Sequence, residues 1–145
     1  KFGSVYIGGG NTPYLLKELK ESGFYEHLKY LINKDIPLAG GSAGAIIFAK
    51  TIIPCLSADE NKVRLTNFET LNKLQGYDLW AHYDSSMDKE INSYLQEYNL
   101  KKIIALPENC GIYVHNEEMK IIGEQSAFVF DSKGKREVKN GEEFK

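Results

Sequence analysis

An α/β fold with a mostly parallel sheet is predicted by three features of this sequence. Short apolar stretches recur between glycine and turn residues, as buried parallel strands do. Helical periodicity fills the intervals between them, giving a strand–helix–strand alternation. Two of the apolar stretches run straight into glycine-rich turns, Gly8-Gly9-Gly10 and Gly40-Gly41. In such folds functional groups gather beyond the carboxyl ends of the strands, where both turns fall.

Taken in order, Phe2 to Ile7 reads as the first strand, and the three glycines after it let the backbone turn sharply and approach a ligand. Thr12 is expected to cap the next helix, with Pro13 at its first position, an apolar face of Leu15, Leu16 and Leu19, and a stop at Gly23. Phe24, Leu28, Leu31 and Ile32 are spaced i, i+4, i+7, i+8 and predict a second helix. Ile36 to Ala39 is the next buried strand, and Ala43 to Ala49 a helix starting directly behind Ser42. Pro54 to Gly76 is weakly periodic and is expected to be mostly loop with a short strand near its start. Leu79 to His82 reads as a strand that delivers His82 to its end. A helix follows from about Asp88, capped from Ser85 or by Asp88 itself, with Ile91, Tyr94, Leu95 and Tyr98 on one face. Ile103 to Leu106 is another buried strand, and Gly111–Val114, Met119–Ile122 and Ala127–Phe130 are short strands joined by tight turns such as His115 to Glu118.

The chain has 145 residues, 42% hydrophobic against 26% charged, enough to bury one core, so a single domain over 1–145 is expected. A net charge of -2 supplies no basic footprint for nucleic acid and no acidic tail. No apolar run approaches the roughly 18 residues of a membrane span, and the first residues do not resemble a signal peptide. Cys55 and Cys110 stand far apart without metal-ligand spacing, so neither zinc nor a disulfide framework is indicated and a reducing cytoplasm is the expected compartment. The absence of an initiating Met is consistent with part of a longer protein.

Gly40-Gly41-Ser42-Ala43-Gly44 fits G-x-S-x-G, a tight strand-to-helix turn that exposes a strained serine. The helix behind it turns its positive end toward negative charge developing nearby. A solvent-facing serine in an ordinary joint fits the same pattern. A serine needs a base, and the imidazoles are His27, His82 and His115. His27 falls in mid-helix and His115 in a polar turn, whereas His82 stands at a strand end. Asp84, Asp88 and Glu108 are the candidates to orient it; Glu108, beyond the strand ending at Leu106, is favoured. The Gly8–Gly10 run lacks the lysine and Ser/Thr of a phosphate loop and the full G-x-G-x-x-G spacing, so nucleotide binding is not expected. A better use is an oxyanion site formed by the amides of Gly9 and Gly10 with that of Ala43.

Together, Tyr6-Ile7-Gly8-Gly9-Gly10-Asn11-Thr12, Gly41-Ser42-Ala43-Gly44-Ala45, Ala81-His82-Tyr83 and Leu106-Pro107-Glu108 resemble, in that order, the peptidase E and cyanophycinase group of serine peptidases. The resemblance implies a three-layer α/β/α fold like class I glutamine amidotransferases. It further implies Ser42 as nucleophile, His82 as base, Glu108 as third member, and hydrolysis of a small peptide through an acyl-enzyme with neither metal nor cofactor. Asn11 and Tyr83, within the same motifs, are expected to contact substrate. Members of the group carry a further βα portion ahead of the glycine-loop strand; without it, a sheet edge is expected to need cover from a second copy or another chain. The aspartate-specific branch also places an arginine shortly after the histidine, and 83–89 contains none, so aspartyl specificity is not expected to transfer. Two rival readings are an α/β-hydrolase esterase, ordered Ser, acid, His and thus dependent on His115, and a non-catalytic binding or assembly module.

Overall fold

A computed structural model describes residues 3–145 of the chain. Phe2, part of the predicted first strand, lies outside the described residues. Two parallel strand pairs position the glycine turns and the histidine. Strand β1 (Val5–Ile7) pairs with β2 (Leu38–Gly40), and β3 (Asp78–Trp80) with β4 (Lys102–Ala105). The register sets Ile7 opposite Gly40 and Trp80 opposite Ala105, so each pair ends flush.

The remaining strands are antiparallel. β7 (Ala127–Asp131) and β8 (Gly134–Val138) extend β3 and β4 into a sheet ordered β3-β4-β7-β8. A separate sheet joins β5 (Cys110–His115), β6 (Glu118–Gly123) and β9 (Glu143–Phe144). Parallel pairing is confined to β1·β2 and β3·β4 among the described residues; β5·β6 and β7·β8 are hairpins, whose two-residue turns can join only antiparallel neighbours, and β7 lies antiparallel to β4. In the β5–β6 turn Asn116 and Glu117 are both at positive φ, as a type I′ hairpin turn demands.

Helices α1 (Thr12–Glu21), α2 (Phe24–Ile32), α3 (Ala43–Ile46) and α4 (Asp88–Glu97) fill the intervals. Asn11, not Thr12, caps α1: its Oδ1 accepts the Tyr14 N–H at 3.0 Å, while the Thr12 hydroxyl is held by Asp59. Gly23 at φ 79° separates α1 from α2 in the left-handed conformation glycine allows. The helix behind Ser42 is one turn long rather than reaching Ala49. The strand expected near Pro54 is instead a 3-10 turn, Ile53–Ser57, since proline cannot donate to a ladder. Before α4, Asp84 caps a short 3-10 turn by accepting the Ser86 N–H at 2.8 Å, and no side chain caps α4 itself.

Strand alternation divides the core between the two faces of the four-stranded sheet. Leu79, Ile104 and Val129 point into the larger cluster with Leu16, Leu28 and Ile47. Trp80, Ile103, Ala105 and Phe130 point into the smaller one, closed by Ile91 of α4. Helices thus cover both faces of this sheet. Among the described residues no helix is long and apolar enough to cross a membrane.

Candidate active site

Ser42 sits in the turn between β2 and α3 at φ 52° and ψ -118°, a conformation few L-residues adopt. Its surroundings impose it. The Gly41 N–H donates to Ile7 O at 3.1 Å, and the Ser42 carbonyl accepts from Ala45 and Ile46 as α3 begins. Gly44 lies so close to the end of β1 that a Cβ there would overlap the Ile7 carbonyl, and one on Gly40 would meet the backbone of Gly44. Glycine at these positions lets the turn press against β1. Strain of this kind costs on the order of 1–3 kcal/mol and persists only where the neighbours over-determine it.

His82 is reached from β3 through Ala81 and also has positive φ, 54°. Its backbone is pinned from the next strand: Leu106 N–H donates to Trp80 O and Tyr83 N–H to Leu106 O, each at 2.9 Å. The His82 ring stands between two groups. Its Nε2 is 2.8 Å from Ser42 Oγ, and its Nδ1 is hydrogen-bonded to Glu108 Oε1. A carboxylate only accepts, so Nδ1 carries the proton and donates it to Glu108, leaving Nε2 to accept the Ser42 hydroxyl hydrogen. The structure therefore brings Ser42, His82 and Glu108 into one line from three strand ends.

Asp84 and Asp88, the other acidic candidates, are engaged elsewhere. Asp84 bonds Ser86, which holds its carboxyl below the usual range. Asp88 belongs to a cluster with Tyr83 and Lys135. His27 stacks between Phe24 and Tyr30 on α2, and His115 stacks on Tyr113 at the β5–β6 turn, so neither serves Ser42.

The Gly8–Gly10 loop runs beside the serine. A Cβ on Gly9 would lie 3.5 Å from Ser42 Cβ and 3.9 Å from its Oγ. Among the described residues the amides of Gly9, Gly10 and Ala43 donate no hydrogen bond. Ala43 opens α3, where a free N–H is expected of a helix start.

The side chains of Tyr83 and Asn11, both expected to contact substrate, are engaged within the protein. Tyr83 is buried at 5% exposure, its ring against Phe128 and Phe130, its hydroxyl bonded to Asp88 Oδ1 at 2.7 Å and Lys135 Nζ at 2.6 Å. Alternation past the strand end sends it to the opposite side from His82, and it anchors the loop. Burial opposes ionisation of Asp88, but the bonds from Lys135 and Tyr83 prevail and hold its carboxyl below the ordinary range. Both ends of the Asn11 amide are occupied, Oδ1 by Tyr14 N–H and Nδ2 by the Glu60 carbonyl at 3.0 Å.

A cavity of about 180 Å³ adjoins the site, bounded by Gly10, Ser42 and His82 together with Thr12, Asp59 and Trp80 among others. Sequence reasoning missed Asp59; the only signal was an acid in an unassigned loop. Cys55, also in the wall, is inert: burial pushes its thiol up to about 12. A second cavity, about 230 Å³ at Met119, Glu143 and Phe144, shares no residue with the first and is lined by no serine, cysteine or histidine. No group of three or more metal-ligating side chains occurs among the described residues.

The model of Peptidase family S51 matches residues 2–122, most of the chain. The chain belongs to peptidase family S51. Among its relatives, this S51 chain is 33% identical over 119 residues to the uncharacterized peptidase Lmo0363 of Listeria monocytogenes, covering 79% of the chain and 58% of that protein. It is 25% identical over 151 residues to Peptidase E of Actinobacillus pleuropneumoniae, covering 93% of the chain and 60% of the relative. In three dimensions it matches a solved Listeria monocytogenes protein provisionally named peptidase E with a TM-score of 0.72 and 27% identity, over 86% of this chain and 61% of that one. A peptidase from an acI-B1 Actinobacterium, at 16% identity and TM-score 0.62, shares the fold over 98% of this chain and 59% of its own. The chain thus spans about 60% of the length of these relatives.

Proposed function

We propose that this S51 chain carries the site of a serine-type peptidase that hydrolyses small peptides, in the manner of a dipeptidase or aminopeptidase, through an acyl-enzyme on Ser42. One observation carries the reading: Ser42 Oγ lies 2.8 Å from an imidazole nitrogen whose partner nitrogen is held by Glu108. A hydroxyl within hydrogen-bond reach of an oriented base is the arrangement nucleophilic catalysis requires.

In the proposed reaction His82 Nε2 takes the Ser42 proton as Oγ attacks the peptide carbonyl. The carbonyl oxygen gains negative charge and is held by the free amides of Gly9, Gly10 and Ala43. His82 returns the proton to the departing amine as the C–N bond breaks. Water, deprotonated by His82, then attacks the ester, and the Ser42 oxygen leaves with that proton. Glu108 keeps Nδ1 protonated throughout and stabilises the imidazolium. Protonation of His82 removes the base, so activity falls on acidification.

The esterase order finds no support, because it needs His115. Aspartyl specificity is not part of the proposal, since no arginine follows His82 and Lys89 is exposed on α4. Cys55 and Cys110 are both free thiols, in keeping with a reducing, cytoplasmic location.

A fluorophosphonate probe tests the reading. Intact mass should show one adduct on the folded protein and none on Ser42→Ala, with His115→Ala labelled at the wild-type rate. An unlabelled folded wild type would favour the non-catalytic alternative.

A further inference from the structure

Exposure leaves the His82 ring little packing to hold it: 59% of the side chain is open to solvent, as is 73% of the Glu108 side chain that meets it. The placement of the ring therefore comes from the backbone, which stands at a strained φ of 54° and keeps it only while its neighbours allow no other. The next residue, Tyr83, is where three further elements converge. Its ring lies against Phe128 and Phe130 of β7, its hydroxyl donates to Asp88 Oδ1 at the start of α4, and Lys135 Nζ of β8 donates to that same hydroxyl at 2.6 Å. Lys135 Nζ also donates to Asp88 Oδ1 at 3.1 Å and Oδ2 at 2.9 Å, which engages all its protons. By ordinary burial rules a lysine is out of place there. The β7·β8 register sets it opposite Phe130, on the face that closes the smaller core cluster, where an apolar side chain would bury more surface. A lysine that only blunted the edge of the sheet would carry its ammonium out to water. This one turns inward over the rings of Tyr83, Phe128 and Phe130.

We propose that Lys135 is a positioning residue for the base: by clamping Tyr83 to Asp88 it fixes the backbone of His82, and with it the approach of Nε2 to Ser42 Oγ. The inference rests on Ser42 and His82 being the reactive pair. It adds a residue 52 positions beyond Tyr83, outside the 2–122 span that the family model matches. Without the ammonium, the partly exposed Asp88 carboxylate turns toward water, because an unpaired charge is better solvated than half-buried. The Tyr83 hydroxyl then loses both of its fixed partners and its ring can shift between Phe128 and Phe130. His82, one peptide unit away, is freed to relax toward negative φ, which carries Nε2 away from the serine.

Kinetics and proton NMR on the longest chain that carries this sequence test it. In Lys135→Met, which keeps the length of the side chain and removes its charge, kcat on a good dipeptide should fall about ten- to hundred-fold with KM unchanged, the scale expected when a reacting group moves by about half an ångström to an ångström. Fluorophosphonate labelling of Ser42 should slow in proportion, and the downfield resonance of the His82 Nδ1 proton should shift or broaden. Lys135→Arg should recover part of the rate. Tyr83→Phe, which keeps the buried ring, should reproduce the loss and carries the test if Lys135→Met does not fold; the double variant should be no slower than either alone. Val138→Ala controls for stability, since it opens a void in the larger core cluster from the same strand. It should melt earlier yet keep wild-type labelling and the wild-type resonance. A Lys135→Met protein that melts earlier but labels at the wild-type rate with an unmoved His82 resonance would overturn the proposal, and so would equal slowing in Val138→Ala. An unlabelled wild type sinks the peptidase reading instead, and the His82 resonance then still decides whether Lys135 sets the ring.

Discussion

Ser42 and His82 share a property at the residue scale: both hold positive φ, 52° and 54°, although neither is glycine. Each is forced into it by backbone bonds to an adjoining strand, and each thereby turns its side chain out over the strand ends. Glu108 has no such constraint, and its side chain is largely exposed, as is that of His82. Its contribution is therefore orientation of the ring, which a neutral amide supplies poorly because it favours the other tautomer. Glu108→Gln is expected to lower kcat by about 10²- to 10⁴-fold with little change in KM. Steady-state kinetics on a good dipeptide measure the split, and a variant that raises KM alone would show Glu108 to be a binding group.

At the scale of elements, the serine turn depends on how closely β2, α3 and β1 approach. Gly44 is the contact that permits it, its Cα lying against the Ile7 carbonyl. Gly44→Ala should push α3 off β1 and cost roughly 1–3 kcal/mol, the range for overpacking a tight site. Urea denaturation should show the lower midpoint, and Ser42 should label more slowly in the still-folded variant as its distance from His82 grows. Full stability and full labelling would mean that the turn has room the structure does not show. Helical periodicity made α1, α2 and α4 legible in the sequence. The one-turn length of α3 was not, because Ala43 to Ala49 is apolar throughout and the early stop is set by backbone bonds to the 68–77 segment, such as Leu71 N–H to Ile47 O at 3.1 Å.

For the molecule as a whole, the Tyr83–Asp88–Lys135 cluster joins the loop after β3, the start of α4 and strand β8. Lys135 sits 2.9 Å from Asp88 and over the rings of Tyr83, Phe128 and Phe130. The folded state holds the Asp88 carboxyl below its ordinary range, so this contribution is complete above the unfolded carboxyl value of about 3.9 and is lost as pH falls through the folded one. The pair is partly exposed, so screening limits it to about 1 kcal/mol or less. Asp88→Asn should accordingly be less stable than wild type near neutrality, with the gap closing under acid. Thermal melts at several pH values would show this, and a gap constant with pH would assign the loss to packing instead of charge.

The sequence alone determined the strand-ending turns, the order of Ser42, His82 and Glu108, and the helices with a clear apolar face, because each is encoded within a few neighbouring residues. Only the tertiary structure decided which groups meet. Asp84, two residues from His82, turns away, whereas Glu108, twenty-six residues on, reaches its ring across the β3·β4 pair. Tyr83 and Asp59 take their places for the same reason. One is buried behind the strand end and the other is brought from an unassigned loop to the cavity, since pairing and packing, unlike periodicity, join residues with no regard to their separation along the chain.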